Sequence, residues 1–120
     1  MAALFTELII DCEDAEKLAA FWAAVLGYEA TEPDEDGEVE IRDPDGGLPT
    51  LLFLNVPEHK SQKNRFHIDV NPLRCDQDEE LERILGLGAT KIDIGQGDVD
   101  WIVLADPEGN EFCLLKGRRD

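Results

Sequence analysis

Positive charge is what this sequence has least of. Lys and Arg together number 11 against 28 Asp and Glu, a formal net charge of −17. A polyanion would be repelled by that field, which excludes nucleic acid as a partner and argues against an anionic membrane surface. The acidity fits either colloidal solubility or a salt-adapted host; in the second case added salt should stabilise the fold by screening acid–acid repulsion. Long apolar runs are missing too, and nothing approaches the roughly 18 residues that cross a bilayer. The N-terminal MAALFTELIIDCED has no basic segment and turns acidic quickly, so it is not a secretory signal. The expected location is therefore cytoplasmic. Cysteine is sparse and odd in number: Cys12, Cys75 and Cys113 form no CxxC pair and no disulfide framework. Free thiols in a reducing compartment are the expectation.

What is present is enough for a core. The 120 residues are 42% hydrophobic, which sets the chain apart from disordered ones and suits one domain over 1–120. LFTELIIDC (4–12) reads as a strand. Asp14 then caps a helix from about Ala15 to Leu26, whose Leu18, Phe21, Trp22, Val25 and Leu26 fall on one face. Gly27 supplies the left-handed residue that ends it. Short strands follow at about 28–32, 38–42 and 50–56, separated by the turns PDEDG and DPDGGLP.

After the polar PEHKSQKN the order repeats. RFHIDVN (65–71) reads as a strand. Asp76 and Glu79 form a capping box ahead of a helix carrying Leu81, Ile84, Leu85 and Leu87, which stops at Gly88. Strands follow at about 89–94, 99–105 and 110–116. Leu26-Gly27 matches Leu87-Gly88, Ala30-Thr31 matches Ala89-Thr90, and DPDG at 43–46 matches DPEG at 106–109, at offsets of 61, 59 and 63 residues. Ordered matches at nearly one offset argue for two copies of a βαβββ unit, about 1–57 and 65–118. Each copy alone would bury little surface, so the two are expected to pair.

The helix run DAEKLAAFWAAVLGYE and the runs VPEHKSQKNRFHIDV and GDVDWIVLADPEGNEFCLL resemble the vicinal oxygen chelate superfamily, which includes glyoxalase I, extradiol dioxygenases, fosfomycin-resistance enzymes and bleomycin-resistance proteins. Within it, the chain is most similar to small glyoxalase-like domains. The resemblance implies an α+β fold of two paired βαβββ units, with curved mixed sheets forming a cleft, and a homodimer. It also implies a divalent metal on the cleft floor. Carried over position by position, the ligand of the first strand falls on Glu7 and that of the second unit's first strand on His67. The slot where relatives place a glutamate after DP-x-G-N falls on Cys113. The matching slot of the fourth strand falls on Leu52 or Leu54, which departs from the family pattern. Glu7, His67 and Cys113 offer oxygen, nitrogen and sulfur, a set that suits zinc better than magnesium or manganese.

Blander readings stand beside that one. A cysteine between Phe112 and Leu114 fits a small core residue or a pocket wall. As a nucleophile it would need His67 beside it to stabilise the thiolate. His67 and Asp69 lie two apart on one strand and so share a face, which suits general-base catalysis or a structural polar pair. Lys60, Lys63 and Arg65 form a local basic spot that either attracts an anionic ligand or neutralises nearby acids. Trp101 in WIVLADP fits the wall of an apolar ligand pocket. Three functions remain open: a protein that binds a small organic molecule, a metal-dependent lyase, isomerase or dioxygenase using Glu7 and His67, and a protein of bleomycin-resistance type that sequesters an antibiotic or metabolite.

Overall fold

The computed structural model describes residues 1–120. Its elements run β1 (Glu7–Cys12), α1 (Ala15–Leu26), β2 (Glu29–Ala30), β3 (Val39–Arg42), β4 (Thr50–Asn55), β5 (Ile68–Val70), α2 (Gln77–Leu87), β6 (Thr90–Lys91), β7 (Ile102–Ala105) and β8 (Glu111–Leu114). This is the βαβββ order twice, in the α+β class. The chain divides into two compact units, Met1–His59 and Lys60–Asp120. No helix is long and apolar enough to cross a membrane.

Each unit builds one four-stranded mixed sheet, ordered β1-β4-β3-β2 in the first and β5-β8-β7-β6 in the second. The first strand of each unit lies parallel to the last, and the remaining pairs are antiparallel. A parallel pair needs a crossover, and in each unit the helix is part of it.

Local chemistry sets the helix ends. The Asp14 carboxylate accepts from the Lys17 amide at 3.1 Å, and Asp76 accepts from the Glu79 amide at 2.9 Å. Both satisfy amides that the first helical turn leaves without a partner. Gly27 ends α1 at φ 70°, ψ 30°, a left-handed conformation in which any Cβ would be strained.

The two cores differ. In the first unit α1 packs on β3 and β4. It buries Ala15, Leu18, Ala19, Phe21, Trp22 and Val25, the apolar face expected of it. Val39, Ile41, Leu51 and Phe53 are buried on alternate positions of the strands. In the second unit α2 buries only Ile84 and Glu80. Leu87, expected on its apolar face, is 37% exposed. Glu80 is buried because Arg83, one turn on, holds its carboxylate through two hydrogen bonds of 2.7 Å. That pairing leaves no ionised oxygen without a donor. Leu104, Phe112 and Leu114 are fully or almost fully buried and form the centre of this core.

Several strands are shorter than the apolar pattern predicts. The segment expected over 65–71 pairs only from Ile68, so His67 sits one residue ahead of the ladder. Ahead of it, the Asn64 amide is held by the Glu111 side chain instead.

Candidate functional site

Strand register places the candidate residues. In the second unit Asp69 and Cys113 are Cα partners across the parallel β5–β8 pair, and Val103 of β7 is opposite Cys113 on the other side. Successive side chains alternate between faces. Asp69, Glu111, Cys113, Val103 and Ala105 therefore share one face, and Ile68, Phe112, Leu114 and Leu104 the other. His67, two residues before Asp69, lies on the Cys113 face. Its Nε2 is 3.0 Å from Asp69 Oδ1, with the two side chains 46% and 47% exposed. The nitrogen of His67, the carboxylate oxygen of Asp69 and the sulfur of Cys113 all lie within 4.8 Å of one another.

Cys113 itself is 6% exposed. Burial pushes its thiol above the ordinary value, the Asp69 carboxylate pushes the same way, and Lys63 only partly opposes them. A thiol so placed is protonated at neutral pH, which argues against a free thiolate nucleophile.

The three basic residues of the Lys60–Arg65 spot have separate fates. Lys60 Nζ donates to the Glu111 carboxylate at 3.1 Å, so it serves to neutralise an acid. Lys63 and Arg65 are exposed. Glu111 also accepts from the Asn64 amide at 2.9 Å, while Asn64 Nδ2 donates to the Glu111 carbonyl at 3.4 Å. This is the clamp that replaces a ladder ahead of β5. It ties the chain three residues before His67 to the strand that carries Cys113, and Glu111 is not among the residues expected at the site from the sequence. A glutamate two positions before the ligand slot, on the same face, was the available signal.

Burial alone would raise the Glu111 carboxyl, but the Asn64 amide and the Lys60 ammonium outweigh it and hold the group below its ordinary value. Stabilisation from a depressed carboxylate is present above its unfolded pKa and is lost as pH falls through the folded one. Glu111→Gln should therefore cost about 1–2 kcal/mol at neutral pH. The gap from wild type should close in urea titrations run at progressively lower pH, below about 4. A gap that stays constant down to acid-induced unfolding would contradict the assignment.

Glu7 stands exposed on β1 in the first unit, paired with Thr50. Register identifies its counterpart. Ala30 pairs with Ile41, which pairs with Leu51. Lys91 pairs with Leu104, which pairs with Phe112. Since both helices end at the same offset, Leu51 corresponds to Phe112, Leu52 to Cys113, Ile9 to Asp69 and Glu7 to His67. The open choice between Leu52 and Leu54 resolves to Leu52. The first unit thus carries one donor and two aliphatic side chains where the second carries three donors. Trp101 directly precedes β7 and is 42% exposed, while Trp22 is buried in the first core.

A glyoxalase-like domain family model matches residues 7–115, nearly the whole chain. The chain belongs to the glyoxalase-like domain family. Among solved structures, the fosfomycin resistance protein FosX from Mesorhizobium loti superposes with a TM-score of 0.73 at 17% identity, covering 98% of this chain and 94% of that one. A FosX from Listeria monocytogenes gives a TM-score of 0.73 at 19% identity, covering 98% and 93%. A mutant of the Listeria protein, complexed with Mn(II) and 1S,2S-dihydroxypropylphosphonic acid, gives 0.67 at 19%, covering 98% and 91%. These likenesses support the fold that the sequence motifs implied. No curated protein sequence matches significantly.

Proposed function

We propose that this glyoxalase-like protein binds a small organic molecule against the Cys113 face of the second unit. The observation that carries the reading is the convergence of His67, Asp69 and Cys113 within 4.8 Å, with the imidazole and carboxylate about half exposed. Pockets that take small molecules combine apolar walls with a few convergent polar groups. Val103 and Ala105 are the apolar part of this face, with Trp101 a candidate edge. Lys63 and Arg65, exposed cations within four residues of His67, would attract a carboxylate or phosphonate on the ligand. Family membership supports small-molecule handling without naming a molecule.

A screen of small organic acids and diols by protein-observed NMR tests the reading. Saturable shifts are expected at His67, Asp69 and Trp101, and they should weaken in His67→Ala. Hits whose shifts map only onto other surfaces would sink it.

The same donors favour a second reading, a metal-dependent lyase, isomerase or dioxygenase. The nitrogen and sulfur make zinc the most compatible ion. When bound, it would act as a Lewis acid on a ligand oxygen. Asp69, beside His67, would fix the imidazole's orientation or take a proton from the ligand.

A further inference from the structure

Residues 71–75 and 115–119 hold Arg74, Lys116, Arg118 and Arg119, four of the chain's eleven cations, and no acid, in a sequence of net charge −17. Folding sets the two stretches side by side within the second unit. We infer that together they form a docking surface for an acidic peptide, centred on Arg74.

The backbone builds this surface. Past the β5–β8 ladder, the Leu115 amide donates to the Val70 carbonyl and Asn71 Nδ2 donates to the Gly117 carbonyl, both at 2.8 Å. The Arg119 amide then donates to the Pro72 carbonyl at 2.8 Å, and the Arg119 carbonyl accepts from the Arg74 amide at 2.7 Å. Leu73 and Arg119 are partners in a parallel bridge. The four cationic side chains thus stand on two hydrogen-bonded stretches, and all four residues are exposed.

Arg74 is the unusual member. It is the one residue other than glycine with a positive φ, at 63°. In that region a Cβ crowds the carbonyl that follows, and glycine would hold the same turn without the clash. Strain of this kind persists where the surroundings impose it, often at ligand clamps. Here the hydrogen bond to Arg119 imposes it, and the result is a guanidinium carried beside Arg118 and Arg119.

The chemistry of the patch selects the partner. Three of its four cations are arginines, whose planar fork binds a carboxylate through two hydrogen bonds at once. Of the flanking acids, Asp76 already accepts from the Glu79 amide. Asp120 pairs with Arg118 at 3.0 Å, an exposed contact that a partner's carboxylate can replace with little loss. Small ligands favour concave sites that enclose them. These cations instead lie open to solvent around Leu73, which is 56% exposed. An extended peptide with acidic and apolar residues uses both the arginines and the leucine. A long polyanion would also meet the acidic remainder of the surface. A short peptide escapes most of that repulsion, because physiological salt screens charges beyond about 8 Å.

The test uses the full chain and a fluorescent peptide with glutamates on both sides of a central leucine, followed by anisotropy. Saturable binding is expected, and it should weaken as salt is raised. Arg74→Gly should cut affinity roughly fivefold, the scale of one well-formed exposed ion pair. Its urea midpoint should stay level or rise, since glycine relieves the left-handed backbone. That combination separates a binding role from a structural one. Lys17→Gln, at an exposed cation on α1, should change neither quantity. Binding that survives Arg74→Gly combined with Arg119→Gln would overturn the inference. So would affinity lost only in Lys63→Gln, which would move the docking point to the other basic spot. Tripolyphosphate bound at these arginines without peptide binding would make the patch a small-anion site, again against the inference, and a wild type that binds neither probe would leave it a solvated surface. Neither His67 nor Cys113 takes part, so these outcomes are separate from those of the NMR screen.

Discussion

Trp22→Ala should lower the stability of the protein by about 3–5 kcal/mol, the range for truncating a large buried aromatic. Trp22 is 2% exposed and fully enclosed in the first core. Its ring meets Phe21 edge-on, with centroids 5.3 Å apart and planes at 90°, a favourable aromatic geometry. Truncation removes this contact and leaves a cavity between α1 and its sheet. In urea the midpoint should fall with little change in slope, because the surface exposed on unfolding is nearly the same. Trp101→Ala is the control. That ring is 42% exposed, so its removal should cost within about 1 kcal/mol. Equal losses from the two tryptophans would contradict the assignment of Trp22 to the core.

The second large effect is expected at Asp106, which opens the DPEGN turn. Asp106 is 4% exposed. Its Oδ1 accepts from the amides of Glu108 and Asn110 at 2.9 and 3.0 Å, and both carboxylate oxygens accept from Asn110 Nδ2 at 3.1 and 2.9 Å. Asp106→Ala strands those donors in a part-buried turn and should cost about 2–3 kcal/mol. Asp106→Asn keeps an acceptor and should recover roughly half. The consequence reaches the candidate site, because this turn aims β8, and Cys113 sits seven residues after Asp106. Alkylation of Cys113 should accordingly be faster in Asp106→Ala than in wild type. Asp43, its counterpart in the first unit, is less buried and caps the Asp45 amide at 2.9 Å. Asp43→Ala should cost about 1 kcal/mol or less. A larger loss at Asp43 than at Asp106 would show that the turn is not what steadies β8.

Much of this architecture was legible in the letters. The cap residues Asp14 and Asp76, the terminators Gly27 and Gly88 and the repeated DP-x-G turns are local signals. Their chemistry acts within a few residues, so reading them requires no fold. The α1 face was legible for the same reason, since helical periodicity encodes burial directly. For α2 the periodicity misled: its apolar residues are few, and Ile84 alone of them is buried while Leu87 stays exposed. Strand lengths were overestimated around His67 because an apolar run shows what can pair, while the actual partner at that point is the Glu111 side chain.

The sequence by itself determined the two βαβββ copies, their turns, the family and the residue types on offer at the ligand slots. The copies and turns follow from local hydrogen-bonding and periodicity, which are properties of neighbours in the chain, whereas the family and its ligand slots follow from the resemblance of whole motif runs. Tertiary structure alone decided which donors meet. Cys113 lies 44 residues from Asp69 in sequence, and only the parallel register of β5 with β8 makes them neighbours. The parallel register of β1 with β4 made Leu52 the counterpart of Cys113, placed Ile9 where the second unit has Asp69, and left Glu7 without donors at the equivalent positions. Folding also brought Glu111 to the Asn64 amide, 47 residues away, as the clamp ahead of His67. Register between distant strands depends on the packing of the core they share, and no short stretch of sequence carries that information.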